Sequence, residues 1–181
     1  MDEDAVDQHI KLWTSAFPGL DRSVEGVVSR IQKLSRYLDK SFGETAAEFE
    51  LTLGELDVLK LLRLKEHPHE LSPGKLSERL MLSSGAMTNR LDKLETAGLV
   101  ERAPDPNDRR GVIVRLTEEG AKRFSLAIER QIEKEKNLLE VMGANDREEL
   151  AAQLRKLMLW FEELLGPPVH TGELEAVTER S

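Results

Sequence analysis

The 181-residue sequence contains no cysteine. That absence removes disulfides, thiolate metal sites, cysteine nucleophiles and thiol-based redox sensing together. It also lacks any long apolar run: the longest, Leu157 to Phe161, is far short of the ~20 residues a bilayer span needs. Positive charge is scarce, with 26 basic residues against 34 acidic and a net charge of −8. Bulk charge therefore draws the chain neither to nucleic acid nor to an anionic membrane, and any such binding must come from a local patch. The opening Met1-Asp2-Glu3-Asp4 is acidic where a secretory signal is basic, so the expectation is a soluble, cytoplasmic protein. No glycine-rich phosphate loop and no Ser/His/Asp arrangement stands out. His67 and His69 flank a proline, and His9 and His170 stand alone, which is a weak metal signal best read as an exposed turn. The adjacent carboxylates Glu118-Glu119, Glu148-Glu149 and Glu162-Glu163 diverge on a helix and make no acid–base pair. The expectation is no enzyme, no cofactor and no metal.

What is present is helical patterning, with 39% hydrophobic residues and only 4% aromatic, ample for a real core. Val6, Ile10 and Trp13 recur at helical spacing between Asp4 and Phe17, where Pro18-Gly19 ends the pattern. Val24, Val27, Val28, Ile31, Leu34 and Leu38 predict an amphipathic helix to about Phe42, followed by a short polar connector. Thr52 and Glu55 stand at capping-box spacing ahead of Leu56, Leu59, Leu62 and Leu64. Ser72-Pro73 opens a short helix to about Leu80, and Ser83-Ser84 opens another, with Met87, Leu91 and Leu94 on one face and Ala97-Gly98 as its stop. Leu99–Glu101 and Val112–Leu116 are β-prone and flank a proline- and charge-rich tip, which reads as a hairpin. Thr117 caps a long helix through Leu139, and a last helix spans about Asp146 to Leu165. The expected organisation is N-terminal helices over 1–51, a compact middle block over 52–120, C-terminal helices over 121–165 and a disordered tail over 166–181. The flanking helices have apolar faces without an obvious partner in so short a chain, and a second copy is their simplest cover.

Two short helices joined by a tight turn and followed by a hairpin form the layout of a winged helix-turn-helix, whose second helix enters the DNA major groove. The fold class is thus mainly α with a small β-hairpin wing. The start of that helix offers Ser83, Ser84, Ala86, Met87, Thr88, Asn89 and Arg90 to phosphates, base edges or a thymine methyl. The hairpin tip carries Arg109 and Arg110, placed to reach a narrow minor groove, with Asp108 able to orient a guanidinium. From Ser83 to Arg115 six basic residues face five acidic ones, a net of +1 within a chain at −8.

These segments, Leu76-Ser77-Glu78-Arg79-Leu80, Met87-Thr88-Asn89-Arg90-Leu91-Asp92-Lys93-Leu94-Glu95 and above all Asp105-Pro106-Asn107-Asp108-Arg109-Arg110-Gly111 running into Leu116-Thr117-Glu118-Glu119-Gly120, resemble the MarR family of transcriptional regulators. The resemblance implies a homodimeric DNA-binding regulator, with Arg110 as the minor-groove contact and Asp108 as its positioning partner. The N-terminal stretch Trp13…Pro18-Gly19-Leu20-Asp21-Arg22-Ser23…Val27-Val28-Ser29-Arg30 further resembles the urate-responsive, PecS-type subgroup with an additional N-terminal helix. That likeness implies a ligand site of a tryptophan, an aspartate and two arginines, matching Trp13, Asp57 and Arg90. The second arginine of the pattern falls where this chain has Leu64; Arg63 lies one residue earlier, about 100° around the helix.

Independently of the family, an aromatic plane and a guanidinium beside a seam bind a planar anion by stacking and charge-assisted hydrogen bonds. The function expected is a ligand-responsive repressor released from a pseudo-palindromic operator by a small planar anion, urate-like or phenolic. The alternative is a winged-helix adaptor between proteins that does not bind DNA specifically.

Overall fold

The computed structural model describes residues 3–65, 69–106 and 108–166, with the backbone alone at Arg109. His67, His170, Asn107 and all of the expected disordered tail beyond Gly166 lie outside the described residues. Two compact units are present, one ending at Glu44 and the other beginning at Thr45.

The first unit opens with α1 (Ala5–Ala16), whose start is a capping box. The Asp4 carboxylate accepts the N–H groups of Val6 and Asp7 at 2.7 and 3.0 Å, and the Asp7 carboxylate accepts the Asp4 N–H at 3.1 Å. Val6 and Ile10 are buried. Arg30, on α2 (Arg22–Glu48), donates to both carboxylates at 2.9 Å and so ties the two helices together. The Asp7 N–H and the Arg30 guanidinium hold the Asp4 carboxyl down to about 2, against an ordinary 3.8. A folded pKa below the unfolded one means stabilisation that is complete above the unfolded value and lost as pH falls through the folded one. The pairing of α1 with α2 is therefore expected to hold at neutral pH and to loosen only as pH falls from 3.8 towards about 2. Carboxyl-carbon NMR titration of Asp4 measures this; a midpoint in the ordinary carboxylate range would remove the Arg30 clamp.

The second helix is longer than its pattern predicts, running past Phe42 to Glu48. The expected polar connector is helical because tertiary contacts hold it: Thr45 and Ala46 are fully buried, and the Thr45 hydroxyl donates to Gln131 at 2.8 Å. Glu48 in the last turn accepts from Lys134 at 2.7 Å and Arg130 at 3.2 Å.

In the second unit, α3 (Leu53–Leu64) begins at the predicted box, with Glu55 accepting the Thr52 N–H at 2.8 Å and Thr52 accepting the Glu55 N–H at 3.3 Å. Leu56, Val58, Leu59, Leu61 and Leu62 are buried, whereas Leu64, in the last turn, is half exposed. A strand not anticipated, β1 (Glu70–Leu71), precedes α4 (Pro73–Arg79), which Ser72 caps. Then comes α5 (Ser84–Thr96), capped by the Ser83 hydroxyl. Gly98, at φ +70°, turns the chain out of it.

The hairpin of β2 (Val100–Asp105) and β3 (Asp108–Leu116) is antiparallel, in register from Val100 opposite Leu116 to Pro104 opposite Val112, after which the register shifts and Asp105 stands opposite Asp108. Both strands run through the charge-rich stretch expected to be an extended tip, because cross-strand backbone pairing sustains a ladder where side-chain burial does not. β1 pairs with the other edge of β3, Glu70 opposite Arg115, giving the order β1-β3-β2. Thr117 caps α6 (Glu118–Leu138), and α7 (Ala144–Leu165) completes the described chain.

The core of this unit is Leu56, Leu59, Leu62, Leu76, Met87, Leu91, Leu94, Leu99 and Val114, each contributing about 2 kcal/mol by burial. By contrast α7 buries none of its residues. Leu150, Leu154, Leu157, Met158 and Phe161 are all more than a third exposed. The same holds for Val24, Val27, Val28, Ile31, Leu34 and Leu38 along α2.

Candidate functional site

Capping decides where α5 begins, and so which side chains it offers to solvent. Ser83 holds the first turn by accepting the Ala86 N–H at 3.3 Å, and Thr88 returns its hydroxyl to the Ser84 carbonyl at 2.9 Å. Ser83, Ser84, Ala86, Thr88 and Asn89 are exposed, on a helix that packs against α4. Met87 is corrected: at 1% exposure it is a core residue. It shares the inward face with Leu91 and Leu94, four and seven residues on, and a side chain in that row cannot reach a groove.

At the wing tip Asp108 and Arg110 are exposed. The Asp108 carboxylate accepts the backbone N–H of Arg110 at 2.9 Å. The aspartate thus directs the arginine through the main chain; the sequence reading had it grip a guanidinium. Position 111 is glycine for a steric reason. A Cβ there would stand 2.9 Å from the Asp105 Cβ and 3.0 Å from the Asp108 Cβ, so a side chain would push the two strand ends apart.

The net +1 of this segment is redistributed by ion pairing. Arg102 donates to Asp92 at 2.7 Å and also to Glu95, and Arg115 donates to Glu70 at 2.7 Å. Arg90 turns inward to the Gly54 carbonyl at 3.3 Å. Among the described residues Arg110 and Lys93 have no ion-pair partner, which leaves Arg110 as an uncompensated cation at the tip. Of Arg109 only the backbone is described, and its side-chain role stays with the sequence reading.

The four expected ligand residues divide between the units. Trp13, in the first, is 45% exposed. It lies in an aromatic column on α1, 5.2 Å from the Phe17 ring and 5.3 Å from that of His9. In the second unit Arg90 lies near enough to Asp57 for its charge to act on the carboxyl. Burial pushes the Asp57 carboxyl above its ordinary value, and the charges of Lys60 and Arg90 pull it back. Arg63 is not part of that pair: its guanidinium lies 3.2 Å from His69 Nε2, while His69 Nδ1 lies 2.6 Å from the Lys65 carbonyl. The sequence reading missed both His69, which it took for a plain exposed turn, and Gly54. A histidine six residues after an arginine and a glycine inside a capping box carry no pattern that marks them as partners.

No helix among the described residues is long and apolar enough to cross a membrane, and those residues hold no group of three or more His, Cys, Asp or Glu able to share a metal.

Two short helices, a buried recognition-helix face and a two-stranded wing with a bare arginine define a winged helix-turn-helix protein. Residues 51–112 match the family model described as MarR family. The HTH-type transcriptional regulator PecS of Dickeya dadantii (strain 3937) is 29% identical over 152 residues, spanning 84% of this chain and 92% of its own. The multiple antibiotic resistance protein MarR of Escherichia coli (strain K12) is 35% identical over 91 residues, half of this chain and 61% of its own. A crystal structure of a mutant E. coli MarR complexed with operator DNA is similar at a TM-score of 0.57 and 26% identity, covering 81% of this chain and 98% of that one. The winged helix-turn-helix block, residues 51–112, is thus of the MarR family, and the chain as a whole is similar to transcriptional regulators of that family.

Proposed function

We propose that this protein is a homodimeric repressor that binds a pseudo-palindromic operator and releases it when a small planar anion, urate-like or phenolic, binds. The observation that carries the DNA-binding half is the exposed polar start of α5 together with an uncompensated Arg110 at the wing tip. Ser83, Ser84, Ala86, Thr88 and Asn89 meet the major groove, and Arg109 and Arg110, the latter set by Asp108, meet the minor groove. The similar MarR structure solved with operator DNA supports this reading. A second copy covers the exposed apolar faces of α2 and α7, and the two-fold axis sets the half-sites about one helical turn apart.

The effector reading rests on Asp57 and Arg90, with Trp13 and Arg63 joined to them by the family resemblance. An anion that takes the Arg90 guanidinium from the Gly54 carbonyl, beside the charge of Asp57, changes what tethers α5 to α3. A ligand with that differential contact shifts the population of the DNA-binding form.

The test is a gel shift on the DNA immediately upstream of the protein's own coding region, at several salt concentrations, with and without urate. Sedimentation of the free protein reports the dimer. Salt-dependent binding released by urate is the expected result. Binding indifferent to urate keeps the repressor and turns the search to other planar anions, whereas no specific binding favours the adaptor. Trp13→Ala and Asp57→Ala are expected to leave operator affinity near that of the wild type and to blunt release. An undiminished response in both variants places the effector elsewhere.

A further inference from the structure

Arg90 is the one basic residue of α5 that is drawn toward α3. Arg90 is half-buried, and its guanidinium lies where a side chain at position 54 would be. A Cβ at Gly54 would stand 2.4 Å from Arg90 Cζ, 2.6 Å from Nη1 and 2.7 Å from Nη2, well inside the ~3.5 Å of van der Waals contact. Asp57 follows Gly54 by three residues and so shares its side of α3. We propose that Gly54 is a positioning residue. The space left by its missing side chain seats the Arg90 guanidinium, and this seat holds a cation of the recognition helix beside Asp57. The proposal deepens the effector reading above, because it names what keeps Arg90 in reach of Asp57 and of an anion that competes for it.

The nearest atoms to that missing Cβ all belong to the far end of a flexible side chain, with no backbone among them. A methyl group at position 54 therefore displaces the arginine and leaves the fold in place, and alanine suits a helix better than glycine does. Once Arg90 has swung away, Lys60 alone opposes the effect of burial on the Asp57 carboxyl.

The experiment is a carboxyl-carbon NMR titration of Asp57 in the full chain, with no DNA and no effector present. It compares the wild type, Gly54→Ala, Arg90→Met and the double variant, with thermal melts as the check on folding. The expected result is an upward shift of the Asp57 midpoint in Gly54→Ala, equal to that in Arg90→Met, with no further shift in the double variant. A midpoint unmoved in Gly54→Ala while Arg90→Met raises it would overturn the proposal, as would shifts that simply add. No shift in either single variant overturns it as well, since Arg90 is then not seated beside Asp57. This readout involves neither urate nor operator, so its failure is separable from failure of the effector reading. A urate-blind protein that still shows the coupled shifts keeps the seat and loses only the ligand.

Discussion

Replacing Gly120 by alanine is expected to cost about 4 kcal/mol of stability, the sum of an overpacking penalty and a disrupted hydrogen bond. The glycine lies in the first turn of α6 and is buried against Leu99 at the entry to β2 and Leu116 at the end of β3. A Cβ there would stand 2.0 Å from the Leu99 carbonyl oxygen and 2.9 Å from its carbon, and 2.9 Å from Leu116 Cδ1. Two of these three atoms are backbone, and the Leu99 oxygen already accepts the Thr117 N–H at 3.2 Å. The Thr117 hydroxyl is likewise bonded to the Gly98 carbonyl at 2.8 Å. Nothing can yield without parting α6 from the base of the wing. Against a total of about 5–15 kcal/mol, the loss lowers the melting temperature by on the order of 10 °C in a chain of this length. A thermal melt by circular dichroism measures it. A melting temperature within about 2 °C of the wild type would show that α6 shifts freely on its capping turn.

Arg110→Ala is expected to weaken binding to operator and to unrelated DNA alike, by about tenfold, and to reduce the log–log salt slope by about one unit per wing. Arg110 is singled out because the other arginines of the block whose side chains are described are engaged. Arg102 is held by Asp92 and Glu95, Arg115 by Glu70 and Arg90 by Gly54. Arg102→Ala is the control, since a guanidinium already neutralised by two carboxylates releases no counterions from DNA. Titration at several salt concentrations separates the two variants. An unchanged slope in folded Arg110→Ala protein would sink the wing assignment.

The legible part of the fold is the part written in short-range chemistry. Thr52, Ser72, Ser83 and Thr117 each cap the helix that their spacing predicts, because the group that satisfies an orphan N–H lies two or three residues away in the chain. Gly98 stops α5 at its expected place for a similar local reason. The end of α2 was not legible, because Thr45 is held helical by a residue 86 positions further on. Strand β1 was not legible either: two residues cannot display an alternation, and only β3 beside them makes them a strand. At the candidate site the order of residues around the wing was enough to place Arg110, exposed, near the hairpin tip. Composition could not show that Arg102 and Arg115 are paired and Arg110 is not, since that depends on partners up to 45 residues away.

By itself, then, the sequence determined the helix starts, the winged helix-turn-helix order and the absence of thiol chemistry, because each rests on residue identity and near-neighbour spacing. The tertiary structure alone decided two other matters: that Asp108 acts through the Arg110 main chain, and that Arg90 lies on Gly54. Each turns on which of several permitted directions a side chain takes. That choice is made by the packed neighbours, which a linear pattern does not bring together.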